Sequence, residues 1–452
     1  MRVLRPIALS ALLAFSAGPT LSETLQSALV SAFNTSNLLE QRRALLRAED
    51  ENVASAFAAL RPQVNGGSSV TQSEQATPSR STLTSTINLG FELLLYDSGA
   101  TALAVEAAKE TVLATRAALV SQEQQVLLNA VQAYVNVLRD GRVVSLRENN
   151  LRLITQELRA AEDRFEVGEV TRTDVAQAEA RLAQARGALV DAQGQLDISR
   201  EFYRLAVGKA PGALTSKVVL PNLPDTVEKA RRLGVQNSPA IRQVQHEVKA
   251  GELNAQRSLA LTRPRLSLEA GVGHSSTIDN NGSVGLTLSV PIYQGGQLRA
   301  LYRRSLAQVQ AARAGLNQQT LLTRQAVSDS WSRLRVANAQ VQASDRQISA
   351  AEVAFEGVRE EARFGSRTTL DVLDAEQALF DARTNRVVAE TQVYSEAYGL
   401  LASMGLLTVK YLNLPVTRYD PAEYYNAVKN APVSTSKAGK KLDRIMQRYQ
   451  KN

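Results

Sequence analysis

The chain has 452 residues, no cysteine and a formal net charge of +8 at pH 7. Its length is sufficient for two or three domains. The lack of cysteine excludes a disulfide framework, a thiolate metal site and the cysteine that would carry a lipid anchor. Aromatic residues form only 5% of the chain, which is typical of long helices rather than of a thick globular core.

The first residues resemble a secretory signal peptide, which we place at residues 1–22. Two arginines near the start supply its positive region, residues 7–18 are apolar, and Thr20 and Ser22 supply small residues. We expect cleavage before Glu23. The apolar stretch is too short for a membrane helix, and no longer apolar run follows it, so we expect export from the cytoplasm without a helical membrane span.

The strongest feature of the sequence is an internal duplication. A shift of 197 residues aligns the same motifs in both halves without a gap. The aligned motifs are YDSG (96–99) with YQGG (293–296), and GEVTRTD (168–174) with GSRTTLD (365–371). Before these motifs the shift is 202 residues, and Arg61-Pro62 aligns with Arg263-Pro264. The difference of five residues predicts a longer hairpin in the first copy.

Each copy predicts a helix, a β-hairpin, a long helical tract and a returning helix. The hairpin strands alternate apolar with polar residues, most clearly at Val284, Leu286 and Leu288. Apolar or small residues recur at spacings of three or four along the long tracts. These tracts must therefore pack as coiled coils, each on the order of 100 Å long. Gly168 and Gly365 break the two tracts, because glycine readily leaves the helical conformation.

The domain organisation follows from these elements. The predicted segments are a signal peptide (1–22), a first repeat (23–211), a linker (212–225), a second repeat (226–407) and a basic tail (408–452). The first repeat contains a helix, a β-hairpin (62–95) and long helices (97–207). The second repeat contains a helix, a β-hairpin (264–292) and long helices (294–405).

The tail carries much of the positive charge. From residue 421 onward seven basic residues outnumber two acids, a net of +5. The basic residues are Lys429, Lys437, Lys440, Lys441, Arg444, Arg448 and Lys451. No base-reading or phosphate-tracking element accompanies the charge, so we expect no nucleic-acid partner. The pattern favours a tail that is solvated and partly disordered, or partly packed against the middle of the protein.

The hairpins predict a membrane barrel built by several chains. Strands of about ten residues cross a bilayer when they are tilted, and their alternation suits one face toward lipid and the other toward a lumen. Four strands cannot close a barrel, so the chain must oligomerise, and a threefold axis would give twelve strands. The alternative is a soluble β-layer that caps a helical bundle.

Three features of the sequence resemble those of the TolC family of outer-membrane efflux proteins. They are the order of elements, the turns at 96–99 and 293–296, and the paired G-x-x-T-x-x-D motifs. The stretch Asp371–Arg383 (DVLDAEQALFDAR) is particularly close to the family pattern. The resemblance covers about residues 23–407. It implies a mainly α fold with a β-barrel part, in which a long coiled-coil α-helical barrel joins a 12-stranded trimeric transmembrane β-barrel with four strands per chain.

The resemblance also implies a location and partners. The expected location is the outer membrane of a Gram-negative bacterium, with the helices spanning into the periplasm. The expected partners are two further copies of the chain, a periplasmic adaptor (membrane fusion protein), an inner-membrane ABC or proton-driven transporter, and outer-membrane lipid. No cofactor is implied.

Asp371 and Asp374 are the candidate pore residues. Their spacing of three places both carboxylates on one helix face just after Gly365, and in a trimer they would form an acidic ring that attracts cations. The alternative from spacing alone is a solvated first helical turn, where acids favour the helix dipole. The resemblance implies that these two positions form the pore constriction. The first copy has Asp174 and Gln177 there instead.

The resemblance further implies a gating latch between neighbouring coils, which matches Arg367, Thr173 and Asp174. An arginine–aspartate pair beside a hydroxyl is chemically suited to a latch. The family pattern has a tyrosine three residues before Gly365, where this chain has Ala362, so the expected latch is weaker than the pattern implies, or Arg363 or Phe364 substitutes for the tyrosine.

The sequence contains no catalytic constellation, so we expect no enzyme activity. The interpretation is an exit duct, for protein in type I secretion or for small molecules in multidrug efflux with a proton-driven pump. A secreted structural coiled coil is the alternative of another class. It would require unbroken heptads without amphipathic hairpins.

Overall fold

The computed structural model describes residues 23–76, 79–276 and 280–449, so the expected signal peptide lies outside the described residues. The described part contains ten helices and four strands in the order that the duplication predicts. They are α1 (Leu25–Thr35), α2 (Asn37–Ala58), β1 (Gln63–Ala76), β2 (Ser79–Tyr96), α3 (Ala100–Glu166), α4 (Arg172–Val207), α5 (Val227–Asn237), α6 (Pro239–Ala260), β3 (Arg265–Ser275), β4 (Asn281–Ser289), α7 (Gln297–Arg363), α8 (Thr369–Ser403), α9 (Pro421–Val428) and α10 (Lys437–Tyr449).

The helix before each hairpin is broken, which corrects the expectation of a single helix there. Ser36 separates α1 from α2, and its hydroxyl accepts a bond from the backbone N–H of Leu39 at 3.3 Å. Ser238 separates α5 from α6 in the same way, accepting from Ile241 at 3.3 Å. Serine favours this N-cap role because its side chain replaces a missing helical acceptor. The two serines occupy the same position in the duplication.

The long helices α3 and α7 have 67 residues each, which corresponds to a length of about 100 Å. Among the described residues no helix is both long and apolar enough to cross a membrane.

The chain divides into two compact units. The first comprises residues up to Ser31, Ala130–Leu220 and Gln347–Thr391, and the second comprises Ala32–Asn129, Pro221–Arg346 and the residues from Gln392 onward.

Two buried tyrosines hold the start of the described chain within the first unit. The hydroxyl of Tyr134 donates to the backbone oxygens of Glu23 and Thr215, each at 2.9 Å. The hydroxyl of Tyr203 donates to the Glu23 carboxylate at 2.8 Å. The backbone N–H of Glu23 donates to the oxygen of Ala213 at 2.8 Å. The start of the described chain is therefore held by the segment that links the two copies.

The second unit contains an antiparallel four-stranded sheet in the order β1-β2-β3-β4. β1 and β2 have 14 and 18 residues, against 11 and 9 in β3 and β4, so the first hairpin is the longer one, as predicted. The register aligns apolar residues across neighbouring strands: Leu93 pairs with Leu268, which pairs with Leu286. One face of the sheet is therefore apolar. β1 and β4 are the edges within the chain.

The tail packs against α2, which corrects the expectation of a solvated tail for this segment. Tyr424 and Val428 of α9 are buried beside Ala54, and the Tyr424 hydroxyl donates to the Glu51 carboxylate at 2.7 Å. Burial of these side chains contributes free energy that the charge pattern of the tail does not reveal.

Gly405 lies just after the end of α8, at a position with no room for a side chain. Its φ is +75°, and an added Cβ would lie 2.6 Å from the backbone oxygen of Asn237. We expect Gly405→Ala to destabilise the protein by about 3 kcal/mol or more, because it combines left-handed strain with a backbone clash. Gly296→Ala is the matched control, since its φ is +84° but nothing lies within 4 Å. Thermal unfolding measures both. Equal losses of stability would contradict the assigned clash.

Candidate functional site

The site lies in the first unit, where two turns join the long helices to the returning helices. α3 ends with bonds from Gly168 N to Phe165 O at 3.0 Å and from Glu169 N to Arg164 O at 2.9 Å. This pair of bonds is a Schellman motif, which needs a left-handed residue after the helix. Gly168 has φ +81°, so glycine meets the requirement without strain.

The turn after α7 repeats this geometry. Gly365 has φ +74°, its N–H donates to Ala362 O at 3.1 Å, and Ser366 N donates to Glu361 O at 3.0 Å. The two predicted turn glycines therefore take the same backbone conformation. Each turn can hold the next helix at a fixed position, because it satisfies the terminal carbonyl groups of the long helix.

The helix that follows each turn begins with a threonine and an aspartate. Asp174 accepts the backbone N–H of Thr171 at 2.8 Å, and its own N–H donates to the Thr171 hydroxyl at 3.4 Å. Asp371 and Thr368 make the same two bonds at 2.9 and 3.2 Å. This capping box stabilises the first helical turn. Hydrogen bonds from Thr171 lower the pKa of Asp174, and the backbone hydrogen bond of Thr368 lowers the pKa of Asp371.

The two candidate pore acids thus differ within one chain. Asp371 caps α8, whereas Asp374 points to α4 and accepts a bond from the Arg181 guanidinium at 2.6 Å. Both partners of this ion pair are partly exposed, so the pair contributes about 0–1 kcal/mol. Arg181 adds a positive charge at this turn that the sequence pattern did not indicate.

The three candidate latch residues are not joined to one another within the chain. Arg367 donates to the Glu361 carboxylate at 2.8 Å, which raises the pKa of the guanidinium. Asp174 is engaged with Thr171, and Thr173 is exposed. Arg367 and Asp174 nevertheless line the same cavity of about 820 Å³.

A buried glutamate lies two residues beyond Asp374, and the sequence analysis did not select it. Glu376 is 4% exposed, and one of its carboxylate oxygens accepts the Asn150 amide at 3.2 Å. The other oxygen is buried and has no partner among the described residues. The pKa of Glu376 is raised to about 7, mainly by burial and also by the charge of Glu157, against lowering by Asn150 and Arg359.

The sequence alone does not indicate that Glu376 is buried whereas its counterpart Glu179 is exposed. Both align in the duplication, but Glu179 is exposed on α4, whereas Glu376 packs between α8 and α3. The adjacent apolar cluster of Ile154, Ala178 and Leu373 excludes water from this part of the bundle. The signal for Glu376 is therefore a tertiary contact and not a motif.

Comparisons with known proteins agree with this architecture. The family described as "Outer membrane efflux protein" matches residues 28–209 and 232–406, the two copies of the duplication. The chain belongs to the outer membrane efflux protein family. It is therefore an outer-membrane channel protein of Gram-negative type and not an enzyme.

Three members of the family define the range of similarity. The chain is 37% identical over 418 residues to the outer membrane efflux protein BepC of Brucella suis, covering 91% of each chain. It is 27% identical over 278 residues to the alkaline protease secretion protein AprF of Pseudomonas aeruginosa, covering 58% of this chain and 57% of AprF. A crystal structure of CusC superposes with a TM-score of 0.77 at 20% identity, covering 85% of this chain and 93% of CusC. The predicted TolC-type fold is confirmed.

Glu376 predicts a pH dependence of stability. Its pKa is higher in the folded state than the ordinary 4.5, so the folded state binds the proton more tightly. Stability from this group is present at low pH and is lost as the pH rises from about 4.5 to about 7, by up to about 1.4 kcal/mol per pH unit. We expect Glu376→Gln to reduce this loss, as measured by thermal unfolding in detergent between about pH 5 and about pH 8.

The control for this measurement is Glu179→Gln, which changes the exposed counterpart in the first copy. It should leave the wild-type pH dependence unchanged. If Glu376→Gln also leaves it unchanged, the carboxyl is solvated in the protein and the assigned burial is wrong.

Proposed function

We propose that the chain is the exit duct of a tripartite export system and assembles as a homotrimer. The edges of the four-stranded sheet support this proposal. In the part of the chain that the structure describes, β1 and β4 pair with only one neighbour each, and unpaired backbone groups are costly in lipid. Pairing β4 of one chain with β1 of the next around a threefold axis would close twelve strands and leave no edge.

The surface of the sheet supports the same conclusion. Large apolar side chains on one face are strongly exposed in the single chain. They include Leu83, Ile87, Leu89, Val272, Val284, Leu286 and Leu288. A monomeric soluble protein rarely exposes so large an apolar face, whereas a transmembrane barrel turns such a face to lipid.

The helical part would form the route through the periplasm. In a trimer the turns at Gly168 and Gly365 come together at one end of the helices, and three copies of Asp371 and Asp374 surround the axis. The charged ring would select cations at the constriction. The latch would form when Arg367 exchanges Glu361 for Asp174 of a neighbouring chain beside Thr173.

Cargo would arrive from an inner-membrane transporter through a periplasmic adaptor. We propose protein export by type I secretion, with an ABC transporter, as the first candidate, and the similarity to AprF, a protease secretion protein, supports it. Small-molecule efflux with a proton-driven pump is the second candidate, and it is favoured by the higher identity to BepC, an efflux protein.

The assembly is tested by mass and by conductance. The purified mature protein in detergent should have the mass of three chains, and it should form discrete, cation-preferring channels in planar bilayers. A monomeric species that needs no detergent and never conducts would contradict the duct and would favour a structural coiled coil.

The acidic ring is tested by Asp374→Gln, which copies the neutral residue of the first repeat and leaves the Asp371 cap intact. We expect the concentration of a multivalent cation for half-block to rise about tenfold, equivalent to about 1.4 kcal/mol. Asp191→Asn is the matched control, because it removes one exposed carboxylate from α4, about twenty residues from the turn. Unchanged block in Asp374→Gln would exclude this carboxylate from the pore.

The two kinds of cargo are separated in cells that lack the gene. Type I secretion predicts loss of a large exported protein from the culture medium, since the duct is its only exit. Efflux predicts increased sensitivity to toxic small molecules with normal protein export. Complementation with Asp374→Gln distinguishes loss of the duct from loss of the ring.

A further inference from the structure

The last helix, α10, carries its basic residues on one face. Lys437, Lys440, Lys441 and Arg444 follow the spacing i, i+3, i+4, i+7, and all four are exposed. This spacing places side chains along one stripe of a helix. Only Asp443 supplies an acidic charge on this helix. Among the described residues none of the four basic side chains forms an ion pair.

The apolar side of α10 is already covered by the protein. Leu442 packs against the cluster of Ala54, Tyr424 and Val428, and the Met446 sulfur lies 3.4 Å from the Tyr424 hydroxyl oxygen. These contacts fix the rotation of the helix about its axis. The basic stripe therefore faces away from the cluster and is available to a partner.

The segment that leads into α10 is tied to the residues just before β1, at the base of the sheet. Arg61 donates to the backbone oxygens of Ala431 at 2.7 Å and of Asn430 at 2.5 Å, and β1 begins two residues after Arg61. The backbone oxygen of Val433 lies against Gly439 of α10, where an added Cβ would lie 2.0 Å from it. The segment that leads into α10 is thus held beside the residues just before β1.

The base of the sheet has the features of a membrane interface. Gln63 pairs with Glu92, so the end of β2 at Tyr96 lies at the level of the residues just before β1. Tyr96 and Tyr293 are 58% and 86% exposed. Exposed tyrosines at one end of an apolar strand face are typical of the level where hydrocarbon meets lipid headgroups.

We propose that the basic stripe of α10 binds the phosphodiester headgroups of anionic phospholipids in the periplasmic leaflet of the outer membrane. Charge complementarity supports this occupant, since a lipid surface offers many phosphates at the level where the stripe begins. Each basic side chain near such a surface increases the affinity about fivefold. The proposal uses the outer-membrane location and does not depend on the cargo or on the pore.

The test uses the purified full mature chain, which contains no cysteine. A single cysteine introduced by Ser434→Cys carries an environment-sensitive fluorophore beside α10. In neutral detergent, dihexanoyl phosphatidylglycerol should change the fluorescence at saturating concentration, whereas dihexanoyl phosphatidylcholine and inorganic phosphate should not. Raising the salt from about 0.1 M to about 1 M should weaken binding, because screening shortens the range of the charges.

A charge variant and a matched control decide the assignment. Replacing Lys437, Lys440, Lys441 and Arg444 by Gln should raise the phosphatidylglycerol midpoint by about 600-fold, since each side chain contributes about fivefold. The control replaces Arg324, Arg333, Arg335 and Arg346, exposed residues of α7, by Gln and should bind like the wild type.

Three results would overturn the proposal. Equal midpoints for the wild type and the α10 variant would exclude the stripe as the binding surface. An equal response to phosphatidylcholine or to inorganic phosphate would exclude recognition of anionic lipid. Loss of adaptor binding by the α10 variant with unchanged lipid binding would assign the stripe to a protein partner. The salt dependence of the wild type tests the proposal even if the variant fails to fold.

Discussion

The backbone groups at the two edges of the sheet constrain the whole molecule. β1 and β4 each have one bonded neighbour, and hydrocarbon offers no hydrogen bond to an unpaired N–H or carbonyl. A chain with four strands can therefore be stable in a membrane only beside further copies of itself. The helices must then be arranged around the same axis, which explains why each hairpin is flanked by helices whose length and turns match in both copies.

At some equivalent positions of the duplication, the two copies carry side chains that differ in charge or in burial. The glycine turns and the Thr–Asp capping boxes are retained in both, because they satisfy backbone groups. The next helical turn has diverged: Gln177 corresponds to Asp374, and the exposed Glu179 corresponds to the buried Glu376. Local backbone requirements are met twice, whereas at these two positions only the second copy has the added acid and the buried glutamate.

Elements that depend on local patterns could be predicted from the sequence. Alternation identified the strands, the arginine–proline pairs located the ends of the preceding helices, and Gly168 and Gly365 located the turns, since each signal acts within a few residues. The breaks at Ser36 and Ser238 were missed although local signals for them were present, since Asn34, Thr35 and Asn37 surround Ser36 and Pro239 follows Ser238. The contacts Arg181–Asp374 and Asn150–Glu376 join residues far apart in sequence, and one sequence alone does not indicate such pairs.

The network around Glu23 bears on the order in which the chain can acquire its structure. Residues 213–215 hold the backbone of Glu23, and Tyr134 and Tyr203 complete its partners. A chain that crosses a membrane from its N-terminus delivers Glu23 long before those residues. The first copy must therefore remain open at this point until the linker has arrived.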